Sequence, residues 1–176
     1  MNSHQFLKAV LIAVALAGLM ALFLKPPMDQ RGGLAPGAKA PVIRVAGWLN
    51  GPGPEPGALQ GEIVVVQGWF TSCIYCRRET PELAATFEKF RDRGVKFISL
   101  TFETDERLEA IEAFVSQTGM TWPAGYGAIE TLQQFDAEYF PCVWIIDRDG
   151  TVVWNRDSRE SLEEALERTL ENGNPS

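Results

Sequence analysis

The chain has 176 residues, of which 45% are hydrophobic and 22% charged, and its formal net charge is -7. An acidic chain without a basic run argues against nucleic acid as a partner. Three cysteines are too few for a framework of disulfides. The length and the ordinary hydrophobic content instead allow one domain with a single hydrophobic core.

The N-terminal residues predict a membrane anchor. Residues 6–24 are apolar except for Lys8, and a helix of that length would be about 28 Å long, close to a bilayer core of roughly 30 Å. We therefore expect a single-pass signal anchor over residues 1–24, a linker over residues 25–36 and a domain over residues 37–176. Because short N-terminal segments of this kind are usually export signals, we place the domain on the extracytoplasmic (periplasmic) side of the cell membrane.

Two alternatives to the anchor remain. Ala15-Leu16-Ala17 fits the small-x-small pattern of a cleaved signal peptide. A buried core helix would also be apolar throughout.

The first half of the domain predicts a βαβ unit. A short first strand is expected within residues 41–48, and residues 63–69 (IVVVQGW) are a β-branched run typical of a buried strand. A helix is predicted over residues 73–93, ended by Gly94, with the next strand over residues 95–102. This spacing predicts parallel strands joined by a right-handed crossover.

The second half predicts further helices and a hairpin, whose tight turn is Asp149-Gly150. A helix is expected over residues 105–118, a short helix within residues 125–139 and a final helix over residues 158–171. The two hairpin strands are expected over residues 142–147 and 151–154. The order of elements is β-α-β-α-β-β-α with an extra strand in front, typical of an α/β fold.

Cys73 and Cys76 lie between a predicted strand and a predicted helix. A Cys-x-x-Cys at a helix start can close a reversible disulfide, and the helix N-terminus lowers the pKa of the first thiol. Cys73 is therefore the predicted nucleophile, and Cys76 the less accessible thiol that resolves the mixed disulfide. A permanent structural disulfide is the alternative. Zinc would require further ligands, and the only histidine is His4, so we expect no metal and no bound cofactor.

Four stretches of the chain, taken in order, carry a resemblance. They are Gly37 to Pro41 (GAKAP), Trp69 to Pro81 (WFTSCIYCRRETP), residues 94–123, and Phe140-Pro141 with residues 142–150. The chain resembles the membrane-anchored, thioredoxin-like disulfide oxidoreductases of the TlpA/ResA type over residues 37–170. The resemblance implies a thioredoxin-like fold, with a mixed central sheet, helices on both faces and a preceding transmembrane helix.

The resemblance also implies roles for residues around the pair. Pro141 should be cis, lie beside the disulfide and offer backbone groups to an extended partner segment. Glu79 should handle protons or tune the redox potential; the alternative is an acidic residue in the first helical turn, favoured by the helix dipole.

Two more residues are candidates for tuning the site. Trp69 is close enough in sequence to shape the site, although an ordinary core position is the alternative. Cys142 would either act as a third redox thiol or be a small buried side chain, as free cysteines commonly are. The chain departs from the family pattern at Ser72, at Ile74-Tyr75 between the cysteines, and at Gln67, where thioredoxin has a buried carboxylate.

The function implied is that of a membrane-tethered thiol-disulfide oxidoreductase acting on protein disulfides or dithiols. The resemblance suggests a reducing role, as in cytochrome c maturation, with a membrane protein as electron donor or acceptor. A thiol peroxidase is one alternative, but its usual Thr and Pro before the first cysteine are replaced by Phe70 and Val66. A non-catalytic thioredoxin-like binding module is the other.

Overall fold

The computed structural model describes residues 32–55 and 58–172. The predicted anchor over residues 1–24 and most of the predicted linker lie outside these ranges. Within them, none of the helices combines the length and the apolar character that a bilayer crossing requires.

Six strands form one mixed sheet in the spatial order β1-β4-β3-β2-β5-β6. The strands are β1 Gly47–Leu49, β2 Ile63–Trp69, β3 Val95–Thr101, β4 Ala124–Tyr126, β5 Cys142–Ile146 and β6 Val152–Asn155. The central strand β2 is parallel to β3 and antiparallel to β5. The predicted mixed sheet and its parallel βαβ unit are confirmed.

Four α-helices and two short 3-10 helices complete the fold. The α-helices are α1 Ile74–Phe90, α2 Leu108–Gln117, α3 Ile129–Gln134 and α4 Leu162–Asn172, and the 3-10 helices are Arg91–Arg93 and Asp105–Arg107. Gly94 ends the first helical region with φ = 83°, a left-handed conformation that glycine adopts readily.

The side chains of β2 alternate between two hydrophobic clusters, because successive residues of a strand point to opposite faces. Val65 and Trp69 pack with α1, α2 and α4 on one face. Val64 and Val66 pack on the other face with α3 and with the segment that precedes β1. The prediction of helices on both faces is confirmed.

Two predicted boundaries need correction. The first strand was predicted within residues 41–48, but it spans Gly47–Leu49 and so ends one residue later. It pairs with β4, a strand that the sequence did not reveal. The last helix starts at Leu162 instead of residue 158. Its start is set by a capping box, in which the Ser161 N–H donates to Glu164 (2.8 Å) and the Glu164 N–H donates to Ser161 Oγ (3.3 Å).

The end of the predicted linker lies against the domain. The Gly32 N–H donates to Asp157 Oδ2 (2.8 Å), and the Leu34 N–H donates to the Phe135 carbonyl (2.7 Å). Leu34 also packs against the cluster that contains α3.

Candidate functional site

Cys73 and Cys76 are joined by a disulfide at the start of α1, and their Cα atoms are 5.2 Å apart. Cys73 is the N-cap residue, with an extended backbone, and its Sγ accepts a hydrogen bond from the Cys76 N–H (3.0 Å). Cys73 is 5% exposed and Cys76 is fully buried. Cys73 is thus the more accessible thiol, as expected, although it is more enclosed than the sequence indicated.

The helix start favours a negative charge on Cys73. Backbone N–H groups in the first turn have no partner within the helix, and the helix dipole places positive charge there. No acidic residue lies in the first turn of α1 to oppose that effect. The local geometry therefore suits a thiolate at Cys73 in the reduced protein.

Glu79 lies beyond the first turn of α1, so the suggestion that it is only a first-turn acidic residue is wrong. Its carboxylate forms an ion pair with Arg156, a residue that follows β6. The same Arg156 Nη1 donates to the Pro141 carbonyl (3.2 Å). Arg156 thereby links the active-site helix to the loop that contains Pro141.

The Phe140–Pro141 peptide bond is cis, as the resemblance implies. Pro141, Glu79 and Arg156 line two cavities. One, of about 270 Å³, also has Tyr75 and Tyr139 in its walls. The other, of about 210 Å³, extends to the buried Gln67.

Gln67 is the centre of a buried chain of neutral hydrogen bonds behind the cysteine pair. Its Nε2 donates to Thr80 Oγ1 (3.0 Å), and the Thr80 hydroxyl donates to the Cys76 carbonyl (2.7 Å). On the other side, Ser99 Oγ donates to Gln67 Oε1 (2.8 Å) and accepts from Trp122 Nε1 (2.8 Å). These bonds hold α1 against β2 and β3 without a titratable group.

Trp69 is fully buried and stacks on Phe114 of α2, with ring centroids 4.1 Å apart. It belongs to the same hydrophobic cluster as Cys73 and Cys76. Trp69 therefore forms part of the packed floor beneath the pair.

Cys142 lies in the cluster on the opposite face of the sheet from Cys73 and Cys76. Its thiol donates to the Tyr139 carbonyl. Burial raises the pKa of the Cys142 thiol to about 12, and the positive charge of Arg156 opposes the rise only in part. The structure does not bring this thiol into the cluster of the disulfide, and its surroundings suit a small buried side chain.

Sequence reasoning missed the apolar surface around the disulfide. Ile74 and Tyr75 are 65% and 61% exposed. Phe70, Phe102 and Phe140 form a trio of rings with centroids 5.5–5.7 Å apart, and Phe140 lines the same cavity as Tyr75. An exposed apolar rim around a reactive pair is suited to contact with a protein segment.

Sequence reasoning also missed Arg156, because its contact with Glu79 joins residues 77 positions apart. Among the described residues, no group of three or more His, Cys, Asp or Glu side chains could hold a metal ion.

Comparison with known proteins agrees with disulfide chemistry. The family model described as "AhpC/TSA family" matches residues 37–155, and the chain belongs to this family. The thiol-disulfide oxidoreductase ResA of Bacillus thuringiensis (strain Al Hakam) is 29% identical over 176 residues, covering 96% of this chain and 98% of ResA. Protein DipZ of Mycobacterium bovis is 28% identical over 128 residues, covering 68% of this chain and 18% of DipZ.

Solved structures show the same fold. The thioredoxin domain of the thiol-disulfide oxidoreductase BVU-2223 from Bacteroides vulgatus has a TM-score of 0.67 and 26% sequence identity, covering 78% of this chain and 99% of that domain. Taken with the family and the cysteine pair, these relatives define a thiol-disulfide oxidoreductase of thioredoxin-like fold.

Proposed function

We propose that Cys73 and Cys76 carry the disulfide exchange of this oxidoreductase and that its substrates are cysteines of partner proteins. The observation that supports this most is the position of the pair. Cys73 Sγ lies at the start of α1, where it accepts the Cys76 N–H, while Cys76 is fully buried behind it. One thiol is placed to attack and the other to resolve.

In the reduced enzyme, the Cys73 thiolate attacks one sulfur of a partner disulfide. The partner S–S bond breaks, a mixed disulfide forms, and the partner's first sulfur leaves as a thiolate that takes up a proton. Cys76 then loses its proton and attacks Cys73 Sγ, which releases the partner's second thiolate. Two electrons have passed to the partner, and the Cys73–Cys76 disulfide has formed. The reverse sequence oxidises a partner dithiol with the same atoms.

The partner segment binds beside Pro141 in this proposal. The cavity lined by Tyr139 and Pro141 also has in its wall Tyr75, the residue directly before Cys76. The apolar residues around the disulfide supply contact area, and the loop supplies backbone groups for a short extended pairing. In this proposal the substrate is therefore a segment of a partner protein that binds at the surface, and not a small molecule enclosed in a cavity.

We further propose that this exchange takes place outside the cytoplasm, on a domain over residues 37–176 tethered by residues 1–24 and 25–36. The apolar run of residues 6–24, interrupted only by Lys8, supports this location. The resemblance to the TlpA/ResA type supports a reducing role in cytochrome c maturation, with electrons supplied by a membrane partner.

A trapping experiment tests the proposal. Cys76→Ser in the full chain removes the resolving thiol, so Cys73 should stay linked to its partner in a mixed disulfide that a reductant cleaves. Cys73→Ser should give no such adduct, and Cys142→Ser added to the trap should not reduce the yield. Capture of proteins with the Cys-x-x-Cys-His haem-attachment pattern would support the cytochrome c role. Absence of any adduct on Cys73 would contradict the proposal.

A further inference from the structure

Glu103 is a buried carboxylate that the proposed exchange reaction does not use. It follows β3, and only 7% of its side chain is exposed. Its oxygens accept hydrogen bonds from the Thr71 N–H (2.7 Å), the Thr71 hydroxyl (2.7 Å) and the Thr101 hydroxyl (3.3 Å). A buried charge is retained in a fold only when it is paired and hydrogen-bonded, and here two of the three hydrogen bonds come from Thr71.

Thr71 is held through all of its polar groups. Besides its two bonds to Glu103, its hydroxyl accepts from Arg107 Nη2 (3.0 Å) and its carbonyl accepts from Arg77 Nη2 (3.2 Å). Two residues later, the Cys73 N–H donates to the Phe70 carbonyl (3.1 Å). The turn over residues 70–73, which leads from β2 into α1, is thus fixed immediately before the proposed nucleophile.

Two cations surround the carboxylate and its turn. Arg107 Nε lies 3.1 Å from Glu103 Oε1, so the charge of Glu103 is compensated by a half-exposed guanidinium. Arg77 reaches the turn from α1 and is held by Gln117 Oε1 (2.8 Å) and by the face of Phe114, 5.0 Å away. Charge-assisted bonds of this kind are shorter and stronger than neutral ones and define the geometry of the groups they join.

We propose that Glu103, acting through Thr71, is a positioning residue for Cys73. Its carboxylate fixes the turn over residues 70–73, so that Cys73 Sγ meets both the free N–H groups of α1 and the incoming disulfide at the productive angle. The inference rests on the proposed role of Cys73. Glu103 itself touches neither the reacting sulfurs nor the partner.

The test compares two changes at Thr71 in the full chain, one that removes the hydroxyl and one that keeps it. Thr71→Val removes the hydroxyl without altering charge or volume, whereas Thr71→Ser keeps the hydroxyl. For each reduced variant, the rate constant for attack on oxidised glutathione is measured against pH up to the plateau where Cys73 is fully ionised. If Cys73 is misplaced, the plateau rate falls without a matching change in the midpoint. An electrostatic change moves the midpoint and changes the plateau only by about threefold for each unit of thiol pKa, because thiolate nucleophilicity follows the pKa with a Brønsted slope of about 0.4–0.5. Small misplacements of reacting groups have large effects on rate, so we expect the Thr71→Val plateau to fall about tenfold and Thr71→Ser to stay within about twofold.

Two further variants keep the inference testable if Thr71→Val does not fold. Glu103→Gln keeps the side-chain shape but turns one acceptor into a donor, so its plateau should also fall. Thr169→Val is the matched control: Thr169 is equally buried, but its hydroxyl bonds to the Ala165 carbonyl within α4, and its plateau should equal that of the wild type.

The outcomes separate this inference from the proposed function. Wild-type plateaus in Thr71→Val and Glu103→Gln, with a reaction that still needs Cys73, would overturn the role of Glu103 alone. An equal fall in Thr169→Val would also overturn it. A reaction with oxidised glutathione that persists in Cys73→Ser would instead contradict the proposed function.

Discussion

Cys142 should make the stability of the folded protein fall at high pH. Burial raises the pKa of its thiol from 9.0 to about 12 in the folded state. Between these values the unfolded chain loses the thiol proton and the folded chain keeps it, so unfolding releases a proton. The stability associated with this thiol is therefore fully present below pH 9 and is lost progressively as the pH rises towards 12.

The size of the effect follows from the same shift. Each pH unit between the two pKa values costs about 1.4 kcal/mol, so raising the pH from 9 to 10.5 should cost about 2 kcal/mol. Cys142→Ala removes the titrating group. Its smaller side chain lowers the free energy of unfolding by an offset that does not depend on pH.

The assay is urea unfolding between pH 8 and 10.5 of two proteins in which Cys73 and Cys76 are both replaced by Ser, one with Cys142 and one with Cys142→Ala. The two proteins then differ only at Cys142, and no disulfide can exchange with its thiolate. The difference in free energy of unfolding between the two proteins should change by about 2 kcal/mol over this range. Alkylation of Cys142 in the folded protein should be about a thousandfold slower than that of a thiol of pKa 9, in proportion to the thiolate fraction. Parallel stability curves, or alkylation at the rate of a free thiol, would refute a buried neutral Cys142.

Three further predictions concern the site and its attachment. Glu79→Gln removes a negative charge near the pair and frees Arg156, so the apparent pKa of Cys73 from pH-dependent alkylation should fall. The control is Glu163→Gln, which breaks a remote ion pair with Lys89. An unchanged Cys73 pKa in Glu79→Gln would rule out a role for Glu79. Gln67→Leu leaves the buried Ser99 hydroxyl without its acceptor and removes the donor to Thr80 Oγ1. It should lower the free energy of unfolding by about 1–3 kcal/mol in urea, a result that an unchanged midpoint would contradict. Deleting residues 1–24 should move the protein from the membrane fraction to the soluble fraction after an alkaline wash, and an unchanged distribution would rule out the anchor.

Local patterns made the centre of the fold predictable. The strand over residues 63–69 was predicted with its observed bounds, because a β-branched run ends at the residues that lead into the cysteine pair. Gly94 marked the end of the first helical region because helices commonly end at a residue in the left-handed conformation, and glycine adopts that conformation most readily.

Edge strands and long-range contacts were not predictable in this way. β4 has three residues with a glycine in the middle, too short for an alternating pattern, and its existence depends on pairing with β1 and β3. The contacts of Glu79 with Arg156 and of Thr71 with Glu103 join residues 77 and 32 positions apart. Only the folded arrangement brings such side chains together, so spacing along the chain carries no signal for them.

The assignment of Cys73 as the nucleophile depends on its thiol pKa, which is measured by the pH dependence of alkylation of the reduced protein, with Cys73 and Cys76 resolved by peptide mass. We expect Cys73 to react first and to titrate below the ordinary thiol range of about 8–9, while the buried Cys76 reacts later and titrates higher. A Cys73 that titrates at or above the ordinary value, or a Cys76 that reacts first, would contradict the assignment of Cys73 as the nucleophile.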